Sequence, residues 1–146
     1  MILQCWKTWD ILFDMADTVL RILVADDEPD VLLVEAKHLR AEGFEVVTAT
    51  DGLDASAKLA GGGFDLVVLD LTMPGKDGFA LLKELRDLTP AGKWIPAIIV
   101  SARGELADMR TGFDLQADHY IQKPCRTEDI VQAVKLMVSL IPLRNS

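Results

Sequence analysis

Cysteine is scarce in this chain. Two occur in 146 residues, Cys5 and Cys125, too far apart in sequence to suggest a disulfide framework and without metal-ligand spacing. A reducing, cytoplasmic setting is expected. No apolar run approaches the about 18 residues that a membrane span needs. The first twenty residues are apolar, but they lack a basic start and carry Asp10, Asp14 and Asp17, so they do not read as a secretion signal. Positive charge is also in deficit. Fifteen Lys and Arg stand against twenty-three Asp and Glu, a net charge of -8, which repels phosphate backbones and anionic lipid. Direct nucleic-acid binding and membrane-surface binding are therefore not expected. Internal repeats and low-complexity segments are missing as well.

What the chain does have is apolar content: 50% of residues are hydrophobic and 26% charged. A chain of this size buries roughly 70% of its unfolded surface, enough for one domain without disulfide or structural metal. Five short runs rich in Val, Ile and Leu recur, at Arg21 to Ala25, Glu45 to Ala49, Asp65 to Leu69, Ala97 to Val100 and His119 to Ile121. Their length suits strands. The first, third and fourth lack alternation, so both of their faces must be covered, as in a parallel sheet flanked by helices. Between them lie segments with helical spacing: Leu53, Ala57 and Ala60; Leu81, Leu85 and Leu88; Leu106, Met109 and Phe113; and Ile130, Val134, Met137 and Ile141. Pro29 suits a first helical turn, Asp77 and Thr127 suit N-caps, and Gly43 and Gly61 to Gly63 suit helix ends. The fold class is α/β. Right-handed crossovers favour a flavodoxin-like, doubly wound five-stranded parallel sheet in the order 2-1-3-4-5 with five helices.

Ligands bind such sheets at the carboxyl ends of the strands. Asp26, Asp27 and Glu28 follow the first run, Asp70 the third, Ser101 the fourth and Lys123 the fifth. One Asp after a strand is ordinarily a turn or cap. Several converging polar groups are not. Three carboxylates within a few ångströms must take protons or admit a cation, and one lysine cannot neutralise them. An all-oxygen site without nearby His or Cys suits Mg²⁺ or Mn²⁺ rather than zinc, placed among Asp26, Asp27 and Asp70. A carboxylate beside a hard dication and a lysine is placed to attack a phosphoryl group, which makes Asp70 the candidate nucleophile.

The run Ile22 to Pro29, the Asp70 to Gly78 loop, the Ser101-Ala102 pair and Tyr120 with Lys123-Pro124 together resemble the receiver domain of two-component response regulators, over about residues 20 to 140. The resemblance implies that Asp70 accepts a phosphoryl group from a phosphohistidine of a sensor histidine kinase or histidine phosphotransfer protein. It implies that Asp27 and Asp70 ligate Mg²⁺ directly, Asp26 through water and Thr72 through its backbone carbonyl. Lys123 would pair with Asp70 before transfer and with the phosphoryl oxygens after it. Ser101 would bond the new phosphoryl group while Tyr120 turns inward, a two-state switch biased by charge. The surface so altered is the fourth helix, fifth strand and fifth helix, where a downstream protein docks. The family's Lys-Pro bond is commonly cis, which is expected here for Lys123-Pro124. Such a domain is a switch rather than an enzyme, with at most slow autodephosphorylation. Thr72 and Arg103 flank the place where water would attack, and are expected to set the phosphoryl lifetime.

Some positions depart from the family pattern. Gln116 stands where many members have Gly, so the end of the fourth helix must manage without the residue that enters the left-handed region cheaply. That leaves room for a shifted or mobile fourth helix. Cys125 stands where many members have Phe, and is expected to be a buried structural thiol rather than a reactive one. His38 and His119 do not sit on a helical hairpin, so neither is expected to relay phosphate, and surface positions are expected for both.

Residues 1-19 form an extension outside the resemblance. Ile2, Trp6, Trp9, Phe13, Ala16 and Leu20 follow steps of four and three, a helical apolar seam. It is expected to pack on its own domain or to form a dimer or partner contact, unless Met15 is the start. Residues 141-146 are expected to be a tail. No output-domain signature is present, so the chain reads as a stand-alone receiver or as a fragment of a larger regulator. A haloacid-dehalogenase-like phosphohydrolase is the enzyme alternative, but Thr72 occupies the place of its second acid. Flavin binding on the same fold is excluded by the acidic loop after the first strand.

Overall fold

The computed structural model describes residues 19–102 and 106–144. The elements alternate throughout: β1 (Arg21–Ala25), α1 (Pro29–Ala41), β2 (Glu45–Ala49), α2 (Gly52–Gly61), β3 (Leu66–Leu69), α3 (Gly78–Leu88), β4 (Ala97–Ser101), α4 (Leu106–Asp114), β5 (His119–Gln122) and α5 (Thr127–Arg144). All strand pairs are parallel, and the order is β2-β1-β3-β4-β5, as the sequence leads one to expect. No helix among the described residues is long and apolar enough to cross a membrane.

Alternate residues of the central strands feed two separate cores. Leu23, Val67, Leu69 and Ile99 point to the face covered by α2 and α3, where they meet Ala55, Leu59, Leu81, Leu82 and Leu85. Ile22, Val24, Val68, Ile98 and Val100 point to the opposite face and meet Leu32, Ala36 and Leu39 of α1 and Ile130, Val134 and Met137 of α5. Burial on both faces is why these strands read as unbroken apolar runs.

Three details differ from expectation. In α2 the buried positions are Ala55 and Leu59, and Leu53 is 63% exposed. This alanine-rich helix offers two faces of similar hydropathy, and the phase is set at Gly52, where a Cβ would lie 1.9 Å from the Lys76 carbonyl oxygen. In α3, Leu81, Leu82 and Leu85 are buried while Leu88, in the last turn, is exposed, and Phe113 of α4 is likewise exposed. The fifth helix begins at Thr127 and continues through Pro142 to Arg144, so residues 141–144 are helical rather than tail. A proline this close to a helix end forfeits few backbone bonds.

Helix starts follow local chemistry. Pro29 occupies the first turn of α1, and the Asp77 carboxylate caps α3 by accepting from the Ala80 amide at 2.9 Å. At α5 the cap lies one residue earlier than Thr127: the Asp129 carboxylate reaches back to accept from the Arg126 amide at 3.0 Å. Gln116 does enter the left-handed region, with φ of +67°. Its amide donates to the Phe113 carbonyl at 2.9 Å, and its carbonyl accepts from Arg86 at 2.6 Å. These bonds hold a non-glycine residue where side-chain sterics cost about 1 kcal/mol. Of the N-terminal seam, Ile2, Trp6, Trp9, Phe13 and Ala16, like Met15, lie outside the described residues.

Candidate functional site: an acidic pocket at the carboxyl edge of the sheet

Because β1 and β3 are neighbours and parallel, the residues that follow them emerge side by side. Asp26 and Asp70 each hold their place through the backbone: the Asp26 amide donates to Ala49 at 3.1 Å and the Asp70 amide to Ala25 at 2.9 Å. Both are buried, and Asp27 beside them is exposed. Carboxylate oxygens of Asp26, Asp27 and Asp70 lie within 4.8 Å of one another. Lys123, just beyond β5, crosses to this pair, its Nζ donating to Asp26 at 2.9 Å and to Asp70 at 3.1 Å. The Lys123-Pro124 bond is cis. Ser101 is fully buried at the end of β4, and its carbonyl accepts from the Lys123 amide at 2.8 Å.

Charge in this pocket does not balance. Two carboxylates at this separation repel by about 3 kcal/mol at an effective dielectric of about 20. One ammonium pairs with two of the three carboxylates, Asp26 and Asp70, so the cluster carries two more negative charges than positive ones. Burial pushes the Asp70 carboxyl above its ordinary value, against the pull of the Thr72 amide, which donates to it at 3.0 Å, and of Lys123. Burial alone would lower the Lys123 ammonium, but its bonds to Asp26 and Asp70 outweigh that and push it upward, so Lys123 stays charged. The donor set fits a hard dication. It is all oxygen, acidic and partly open at Asp27, which suits an ion that keeps some of its water.

The loop after Asp70 is tightly fitted, which explains its composition. A Cβ on Gly78 would sit 2.5 Å from the Asp70 carbonyl oxygen, so only glycine lets α3 start this close to the acceptor position. Met73 is buried in the core, and the Pro74 carbonyl accepts from the Gly52 amide at 2.9 Å. Lys76 pairs with Glu84 and donates to Ser56 at 3.2 Å, while Ser56 donates to Glu84 at 2.8 Å. This network ties the loop to α2 and α3, and the Lys76 bond holds the Glu84 carboxyl below its usual value.

Other expected residues are placed as follows. Thr72 is exposed beside Asp70, and Tyr120 is half-buried against the core on β5. Arg103 lies outside the described residues. His38 is exposed, and His119 is half-buried on the edge strand β5, where it lines a surface groove. Cys125 is half-buried against the α1 and α5 core, and burial, followed by the nearby Glu35, pushes its thiol up.

The sequence did not direct attention to Glu35. It is 3% exposed, and burial, reinforced by Asp26, pushes its carboxyl up to about 7. The signal was present: Leu32, Glu35, Ala36 and Leu39 follow the three-four spacing of a buried stripe, and Glu35 is a charge within it.

Comparison with known proteins agrees with this geometry. The response regulator receiver domain family matches residues 22–135. The transcriptional regulatory protein TcrA of Mycobacterium tuberculosis is 37% identical over 118 residues, 81% of this chain and 46% of that protein. ResD of Bacillus subtilis, also a transcriptional regulatory protein, is 35% identical over 81% of this chain and 48% of its own length. The chain thus spans about half the length of the curated relatives it matches. A crystal structure of a CheY-like response regulator receiver domain protein from Methanospirillum hungatei superposes with a TM-score of 0.77 at 28% identity, covering 84% of this chain and 95% of that one. The chain belongs to the response regulator receiver domain family, whose members are signalling switches, and the phosphohydrolase alternative is set aside.

Proposed function

We propose that this chain accepts a phosphoryl group on Asp70 from a phosphohistidine of a sensor kinase or phosphotransfer protein. The observation that carries this reading is the gathering of Asp26, Asp27 and Asp70 within 4.8 Å of one another, with Lys123 paired to Asp26 and Asp70. A Mg²⁺ ion, or Mn²⁺ in its place, would be held by Asp27 and Asp70 directly, by Asp26 through water and by the Thr72 carbonyl. When bound, it neutralises charge on the transferring oxygens.

Asp70 attacks phosphorus as the carboxylate. The bond to the donor imidazole nitrogen breaks, that nitrogen keeps the electron pair, and an acyl phosphate forms on Asp70. Lys123 stays protonated and follows the new phosphoryl oxygens. Ser101 donates its hydroxyl to the same group, and Tyr120 moves further inward behind it. Thr72 and Arg103 bound the approach of water and so set how fast the acyl phosphate is lost.

The changed surface runs along α4, β5 and α5. There, a groove of about 960 Å³ has Tyr120, Gln132 and Leu136 in its walls, a surface suited to a downstream protein or a second receiver. A reducing, cytoplasmic setting belongs to this reading.

Incubation with acetyl phosphate and Mg²⁺ tests it. Intact-mass analysis should show one phosphoryl added to the parent, acid-resistant and base-labile, and none on Asp70→Ala. Steady turnover of a phosphate ester without an adduct would contradict it.

A further inference from the structure

A second recess shares Lys123 with the acidic pocket. It is a cleft of about 440 Å³ between α1 and the start of α5, lined by Val31, Glu35, Ala102, Lys123, Pro124, Cys125 and Ile130 among others. None of Asp26, Asp27 and Asp70 lines it. Its volume lies within the range of small-molecule sites, and its walls are mainly apolar.

Two observations give the cleft a chemistry. First, Glu35 lines it while 97% buried, since its exposure is 3%, and its carboxyl makes no hydrogen bond or ion pair among the described residues. Such groups ordinarily have partners, because an unpaired buried carboxyl costs free energy. Second, Lys123, the only cation on the wall among the described residues, donates to Asp26 and Asp70 and reaches Glu35 only as a through-space attraction, without a hydrogen bond or ion pair. Cys125, a small side chain, lines the same cleft, and burial and Glu35 both disfavour its thiolate. Cys125 is therefore wall rather than nucleophile.

We propose that this cleft binds a small organic cation with an apolar body, an amine or amidine, whose N–H groups donate to Glu35 while the body packs on Val31, Pro124, Cys125 and Ile130. Negative charge favours such a ligand from the rim as well, since Glu28 stands there exposed. The site is independent of whether Asp70 accepts phosphate.

Benzamidine is the probe, with benzoate as the same ring carrying the opposite charge. Amide resonances are followed in ¹⁵N-labelled full-length protein during titration with each. Saturable shifts centred on Val31, Glu35, Cys125 and Ile130 are expected with benzamidine and not with benzoate. Affinity should fall at least ten-fold in Glu35→Leu and in Cys125→Phe, the second of which fills the cleft without touching the carboxyl. Spectra of the unliganded variants report their folding, and two substitutions keep the test intact if one perturbs the core. The proposal is overturned by an absence of saturable shifts, by equal binding of benzoate, or by undiminished affinity in either folded variant.

Discussion

The two ends of the sheet each carry a polar cluster, half-buried at one and largely buried at the other, and the clusters are built on opposite terms. At the amino edge of β4 and β5, Asp118 is fully served: its carboxylate accepts from Trp94 Nε1 at 2.9 Å, the Ala97 amide at 2.9 Å and Arg86 at 3.0 Å. Arg86 in turn donates to the carbonyls of Ile95 and Gln116, each at 2.6 Å. At the carboxyl edge, Asp26, Asp27 and Asp70 crowd around one lysine, and Glu35 lies buried nearby without a partner among the described residues. A carboxylate whose acceptor positions are all taken locks chain segments together and has little left to offer. An unsatisfied one stores repulsion that a cation can relieve. The difference separates the end that holds the fold from the end that acts.

Substitutions should therefore have opposite signs at the two edges. The largest effect is expected at the amino edge. Asp118→Ala leaves the indole N–H, a backbone amide and Arg86 without their acceptor, and should lower unfolding free energy by about 3 kcal/mol in urea titration. A loss below about 1 kcal/mol would erase the contrast.

Next comes Glu35, whose folded value near 7 lies above its ordinary 4.5. The folded chain then binds a proton that the unfolded chain has released, so stability falls as pH rises from about 4.5 to about 7. At 1.36 kcal/mol per pKa unit the fall is about 3 kcal/mol at most. Glu35→Gln should remove that slope, read from urea midpoints at pH 5 and pH 7.5, and equal slopes would contradict the burial of an ionisable carboxyl. The smallest effect is at Asp70. Without divalent ion, Asp70→Asn relieves repulsion and should raise stability by about 1 kcal/mol. Added Mg²⁺ should reverse the order, stabilising the parent by about 1.4 kcal/mol at ten times its dissociation constant and the variant much less.

Much of this contrast was legible in the sequence, and the reasons are physical. Strands buried on both faces betray themselves as apolar runs, and the carboxyl ends of parallel strands are where ligands gather, so Asp26, Asp70, Ser101 and Lys123 could be brought together without coordinates. Helix phase was less legible. In α2, Leu53 is the larger side chain, yet contact between Gly52 and Lys76 turns it to solvent. That Gln116 could take the left-handed conformation without being glycine was not legible either, because Arg86, thirty residues away in sequence, holds its carbonyl. Glu35 was visible as a charge on a buried stripe, but its lack of a partner among the described residues emerges only in three dimensions.

The account turns on residue 70 as the seat of phosphate. Phosphorylate the protein with acetyl phosphate and Mg²⁺, reduce the acyl phosphate with borohydride, and sequence the peptides by mass spectrometry. Reduction should convert the modified aspartate to homoserine at position 70 alone. Homoserine at position 26 or 27, or none anywhere while the protein carries phosphate, would contradict the assignment.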